Sequence, residues 1–217
     1  MKRVIILYMH TKTINLLALA FLALLLSACN TQNAEQANQQ PLSKIAVIGD
    51  SIGNGYNLAT PWPTLVKEKL KVSMFNTSIS GKQTGWGLEI IDDILDTHRP
   101  SHLLISLGTN DATRGPCDGA AIANLQAMVD IANAKGVTVI VGTVIPNHQS
   151  KEADQHAQQI NIGILQLSNA SIVDVRAKMG DAKSLLADGV HPNQQGQQVI
   201  ANAFLEQLMS LAKFEEG

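Results

Sequence analysis

The sequence predicts an α/β fold: a three-layer α/β/α sandwich with a parallel sheet as its middle layer. Two observations carry that expectation. Short runs of Val, Ile and Leu recur along the chain, each long enough for a buried strand and too short for a helix. Between them, apolar residues return at helical rather than alternating spacing, the pattern of helices that cover both faces of such a sheet.

Residues 44–48 form the first expected strand, with an unbroken apolar run from Ile45 to Ile48. Residues 72–79 form the second, 103–107 the third, 137–144 the fourth and 171–175 the fifth. Between the third and fourth, Ile122, Leu125, Val129 and Ala132 fall on one face of a helix, and near the end Ile200, Phe204, Leu208 and Leu211 do the same. Gly136, just past Lys135, fits the C-terminal cap of the first of these helices, where glycine takes the left-handed conformation without strain. A single domain over residues 42–217 is of ordinary size and has room for a full core.

Residues 1–28 read as a targeting segment. Lys2, Arg3 and Lys12 precede an apolar run at residues 14–26, which suits a secretory h-region and falls short of the about 20 residues a spanning helix needs. Met9-His10-Thr11-Lys12 is by itself a sufficient charged start, so translation can begin at Met1 or Met9. The run ends in Leu26-Ser27-Ala28-Cys29, which resembles a bacterial lipobox. That resemblance implies removal of residues 1–28 and a lipid on Cys29, and Asn30 behind the cysteine leans toward the outer membrane, facing the periplasm. An uncleaved signal anchor is the alternative. Residues 29–41 carry Asn, Gln and Ala without period or bulky apolar side chains, and are expected to form a flexible tether.

Composition narrows the function. The formal charge is −2, and loss of residues 1–28 removes three positive charges and no negative one, leaving −5. With no basic cluster and no interleaving of aromatic and basic residues, nucleic acid is not an expected partner. Of the two cysteines, Cys29 is taken by the lipid and Cys117 is left without a partner, so neither a disulfide framework nor a zinc site follows. His98, His102, His148 and His156 show no ligand spacing, and surface or locally hydrogen-bonded roles are expected for them. No metal or cofactor is expected.

The chemistry is carried by two stretches about 140 residues apart, Gly49-Asp50-Ser51-Ile52 and Asp188-Gly189-Val190-His191. A serine hydroxyl is a poor nucleophile at neutral pH. It needs a base to take its proton, and that base needs a third group to fix its tautomer. The Asp-x-x-His spacing offers base and orienter on one turn. Taken singly, each of these residues is far more often structural than catalytic, so placement has to decide. In an open parallel sheet the loops at the carboxyl ends of the strands share one rim, where ligands bind. Ser51 follows the first expected strand, Gly81 the second and Asn110 the third, which puts all of them on that rim. Acyl transfer passes through an oxyanion, and the backbone N–H of Gly81, the Asn110 amide and the backbone N–H of Ser51 are suitable donors.

Gly-Asp-Ser-Ile, an isolated Gly, Gly108-Thr109-Asn110-Asp111 and Asp188-Gly189-Val190-His191-Pro192, in that order, resemble the blocks of the SGNH (GDSL) hydrolases. The resemblance runs from Lys44 to the final helix. It implies a flavodoxin-like sandwich and hydrolysis of esters or thioesters. It also implies Ser51 as nucleophile, His191 as base and Asp188 as its orienter, with Ser51, Gly81 and Asn110 forming the oxyanion hole. Gly49-Asp50-Ser51-Ile52-Gly53 satisfies the Gly-x-Ser-x-Gly pattern of α/β-hydrolases as well. There, however, the serine follows a central strand and the acid lies far from the histidine in sequence.

Substrate choice is less marked. The loop Ile145-Pro146-Asn147-His148 lies on the same rim, and Tyr56 and Trp86 sit in the loops beyond Ser51 and Gly81. They can line an acyl or glycan pocket, or Trp86 can anchor its loop by packing beneath it. Export argues against coenzyme A thioesters. The favoured substrates are small carboxylic esters or lysophospholipids, followed by acetylated glycans of the envelope or environment. A lipid-anchored binding protein on the same fold, without chemistry, is the expectation from a different class.

Overall fold

The structure, a computed structural model, describes residues 42–57, 59–115, 119–181 and 183–213. The expected signal segment and tether, with Cys29, lie outside the described residues, as does Cys117.

Five strands form one wholly parallel sheet: β1 (Lys44–Gly49), β2 (Ser73–Asn76), β3 (His102–Ser106), β4 (Thr138–Gly142) and β5 (Ser171–Val173), in the spatial order β2-β1-β3-β4-β5. The central strands are apolar on both sides because helices cover both faces, so their side chains divide alternately between two cores. Ala46, Ile48, Leu103, Ile105, Val139 and Val141 face one. Ile45, Val47, Leu104, Ile140 and Val173 face the other. Most are fully buried, and each large aliphatic chain so placed stabilises the fold by roughly 1.5–3 kcal/mol relative to exposure.

The helices of the first face are α3 (Thr84–His98), α5 (Ala120–Ala134) and α6 (Lys151–Ile164). The second face is covered by α2 (Trp62–Leu70), α7 (Val175–Met179) and α8 (Gln194–Lys213). Here Trp62 stacks on Phe204 at 4.2 Å between ring centroids. The apolar faces expected around Leu125 and Phe204 are those that enter the two cores. Gly136 takes φ +73 just beyond α5, as expected of the cap. Two short helices remain on the rim, α1 (Ser51–Asn54) after β1 and α4 (Thr109–Arg114) after β3.

Three strands end two or three residues before the expected ranges do, and in each case a side chain takes over the backbone hydrogen bonds beyond. At the end of β2, the Asn76 side chain donates to the Gly53 carbonyl at 2.9 Å and accepts from the Ser78 N–H at 3.1 Å. Beyond β4, Asn161 replaces a neighbouring strand: its amide accepts from Val144 N at 2.7 Å and donates to Val144 O at 2.8 Å. After β5, Asp174 caps α7 through the Ala177 N–H at 3.0 Å, so Val175 belongs to the helix.

Candidate active site

The strand order turns around between β1 and β3, and in open α/β sheets the crevice at such a reversal is where ligands bind. Both strands deliver short helices there. At the end of β1 the backbone passes between Ser78 and β3, where a Cβ on Gly49 would lie 2.6 Å from Ser78 Oγ and 3.2 Å from the Ser106 carbonyl. Only glycine fits. Asp50 then caps α1, its Oδ1 accepting from the Ile52 N–H at 2.9 Å. Ser51 is consequently the first residue of α1 and is 5% exposed.

The Asp188–His191 turn supplies the partner groups. Asp188 Oδ1 accepts from its own turn, from Val190 N at 2.9 Å and His191 N at 2.7 Å. This leaves Oδ2 to meet His191 Nδ1 at 2.7 Å. The spacing acts through this local geometry: a carboxylate that binds the backbone two and three residues on is already aimed at the ring. Gly189, at φ +90, supplies the left-handed residue the turn requires. Burial works to raise the Asp188 carboxyl, but the His191 N–H, the imidazole and the Val190 N–H outweigh it and hold the group below the usual carboxylate range. The loop after β4 braces the turn from outside, with His148 N donating to Gly189 O at 2.7 Å and Gln149 Nε2 to Asp188 O at 2.7 Å.

His191 Nε2 lies 3.0 Å from Ser51 Oγ. With Nδ1–H directed at the Asp188 carboxylate, Nε2 is left as the acceptor for the serine proton. Tyr56 stacks on the imidazole of His191, the ring centroids 3.7 Å and the planes 4° apart. It does so from a left-handed backbone, φ 47, and remains 46% exposed.

On the opposite side of Ser51, residues Ile79 to Lys82 form a turn closed by Lys82 N donating to Ile79 O at 3.3 Å. Gly81, at its third position with φ +78, has the conformation that a type II turn demands. Among the described residues, neither the Ser51 nor the Gly81 backbone N–H donates a hydrogen bond. Asn110, in the first turn of α4, reaches the same place, but its amide is engaged: Nδ2 donates to Lys82 O at 3.0 Å and, at a longer 3.4 Å, to Asp50 Oδ2. The longer contact is the one an arriving oxyanion can replace.

Asp50 is the feature of the site that sequence reasoning missed. The carboxyl is fully buried, and burial pushes it up to about 7 against the opposing Ile52 N–H and Thr109 side chain, with the Asp111 charge adding to the rise. Nothing in Gly-Asp-Ser signals this. The Tyr56 stack was equally hidden, since it joins residues far apart in sequence. Trp86 lies in the first turn of α3 and not, as expected, in a loop; it packs against the first core and lines a cavity of about 870 Å³ beside Gly81, with Lys82 Nζ 5.3 Å from its ring centre. Of the other described histidines, His98 stacks on Phe75, and His102 lies buried beside Ser101 Oγ, burial lowering its pKa to about 4. His148 Nε2 lies 3.2 Å from Asp181 Oδ1, and His156 Nδ1 3.0 Å from Ala112 O.

Known proteins resemble this chain. An arylesterase of Vibrio mimicus is 29% identical over 189 residues, 80% of this chain and 92% of that protein. The thioesterase 1/protease 1/lysophospholipase L1 of Escherichia coli (strain K12) is 26% identical, over 79% of this chain and 86% of its own length. The crystal structure of TesA superposes with a TM-score of 0.69 at 24% identity, covering 78% of this chain and 99% of the other, which extends the likeness to the fold. The model of the GDSL-like lipase/acylhydrolase family matches residues 47–199, a span that begins in β1, ends in α8 and contains Ser51, Gly81, Asn110, Asp188 and His191. The serine after the first strand and the acid three residues before the histidine set the chain apart from the α/β-hydrolase pattern. The chain belongs to the GDSL-like lipase/acylhydrolase family.

Proposed function

We propose that the chain is a serine esterase that hydrolyses carboxylic esters through an acyl-enzyme on Ser51. The observation that carries this is the unbroken relay from Ser51 Oγ to His191 Nε2 at 3.0 Å and from Nδ1 to Asp188 at 2.7 Å. Ser51 Oγ attacks the ester carbonyl as His191 takes its proton, and the tetrahedral oxyanion is met by the N–H groups of Ser51 and Gly81 and by the Asn110 amide. Collapse expels the alcohol, which leaves with the proton from His191. Water, activated by the same imidazole, then releases the acid.

Small acyl esters and lysophospholipids are the proposed substrates. A second reading, removal of O-acetyl groups from glycans, draws support from the cavity beside Gly81, where Gln83, Glu89, Asp111 and Asn124 offer hydrogen-bonding groups next to the Trp86 indole. Lipid attachment at Cys29 and a place in the outer membrane, facing the periplasm, complete the proposal and rest on the sequence around that cysteine. Turnover of a p-nitrophenyl ester series, a lysophospholipid and an acetylated oligosaccharide by wild type and Ser51→Ala tests the reading. Loss of the nucleophile in a serine hydrolase can lower turnover on the order of a million-fold. The variant should be folded, inactive on every substrate and unlabelled by a fluorophosphonate. Retained turnover and labelling in Ser51→Ala would remove this serine from the mechanism.

A further inference from the structure

The oxyanion side of the site hangs on a glycine turn, and glycine is the residue least able to hold its own conformation. A useful oxyanion donor must nevertheless sit 2.7–3.1 Å from where the charge develops, and a displacement of about 1 Å can lower the rate about 100-fold. Something outside the turn has to fix it. Helix α4 supplies three side chains to this loop. Asn110 donates to Lys82 O at 3.0 Å, and Asp111 accepts from Thr84 N at 3.1 Å and Thr84 Oγ1 at 2.6 Å. Arg114 reaches furthest, its Nη2 donating to the Gly81 carbonyl at 2.9 Å and its Nη1 to Gln83 Oε1 at 3.0 Å.

We infer that Arg114 is a positioning residue for the oxyanion hole: its guanidinium fork ties the carbonyl of Gly81 to the Gln83 side chain and so holds the Gly81 N–H toward the tetrahedral intermediate. The inference rests on the reading of Ser51 as nucleophile. Arg114 touches neither Ser51 nor His191, so its effect is transmitted through the Gly81 turn. Its planar pair of donors spans two acceptors at fixed separation, which a lysine ammonium cannot do. The two carbonyl bonds made from α4, at Gly81 and Lys82, fix consecutive peptides of the turn, and the N–H that faces the reaction belongs to the peptide just before them.

Kinetics of Arg114→Ala and Arg114→Lys on p-nitrophenyl acetate test this, with thermal melting as a control for folding. The Ala variant should lose roughly 10–100-fold in kcat with KM changed less than about threefold, because the ground-state carbonyl demands little of the hole. It should also bind a tetrahedral phosphonate inhibitor more slowly by a similar factor. The Lys variant should recover only part of the loss, and added guanidinium ion should raise the kcat of Ala but not that of wild type. A kcat for Arg114→Ala within about twofold of wild type would overturn the inference. So would a loss that tracks the unfolded fraction and is restored by neither lysine nor guanidinium. Turnover that survives Ser51→Ala would instead sink the reading of the nucleophile, so the two failures are separable.

Discussion

Replacing Asp50 by Asn isolates the energetic consequence of burying a carboxyl beside the nucleophile. Asp50 is fully buried, and its pKa is raised from 3.8 to about 7 because burial disfavours the charged form more than the Ile52 N–H and the Thr109 side chain favour it. A group whose folded pKa lies above its unfolded value contributes stability that is complete below the unfolded pKa and lost as pH rises through the folded one. For Asp50 the window therefore runs from about pH 4 to about pH 7. The shift from 3.8 to about 7 corresponds to roughly 4 kcal/mol at 1.36 kcal/mol per unit. Asn is neutral throughout and keeps an acceptor for the Ile52 N–H. Its stability relative to wild type should thus climb with pH by up to about 4 kcal/mol across the window, whatever fixed offset the new amide introduces beside Asn110. Urea denaturation of both proteins at half-unit steps from pH 4 to pH 8 gives that difference, and other titrating groups cancel in it. Asp188 shifts in the opposite sense, so the absolute curve of either protein is not diagnostic. A difference flat to within about 0.5 kcal/mol over the whole range would refute the reasoning, because it would mean that Asp50 is ionised in the fold as readily as in the unfolded chain.

Two further outcomes follow from the geometry. Asn110→Ala removes one oxyanion donor and leaves the nucleophile, so turnover should fall roughly 100 to 1,000-fold while slow fluorophosphonate labelling of Ser51 persists; wild-type turnover would place the hole elsewhere. Cys29→Ser should abolish lipid labelling and release the protein from the membrane fraction without loss of activity on soluble esters. Unchanged fractionation, with no acyl label on wild type, would favour an uncleaved anchor.

What the sequence made legible is what depends on nearest neighbours along the chain. Strand positions followed from apolar runs because both faces of the sheet are covered, and the rim position of Ser51, Gly81 and Asn110 followed from each lying just beyond a strand of a parallel sheet. Asp188 and His191 were readable as a pair because the aspartate binds the backbone of its own turn, which makes a spacing into a geometry. The ends of strands were less legible. Asn161 reaches back 17 residues to end β4, and no local pattern announces it.

The same limit hid the residues that tune the site. Asp50 looks like an ordinary N-cap in sequence, and only its burial in the assembled rim pushes its carboxyl up to about 7. That shift matters for the proposed chemistry. Asp50 Oδ2 lies 3.4 Å from the Asn110 amide, so a charge on it would compete with the developing oxyanion for the same N–H and repel it as well. Below about pH 7 the protonated carboxyl makes the weaker claim, and the donor can turn to the substrate. Arg114 does the corresponding work on the other donor from 33 residues downstream of Gly81. The nucleophile, base and orienter are thus written in short motifs, whereas the electrostatic quality of the hole is a property of the assembled rim.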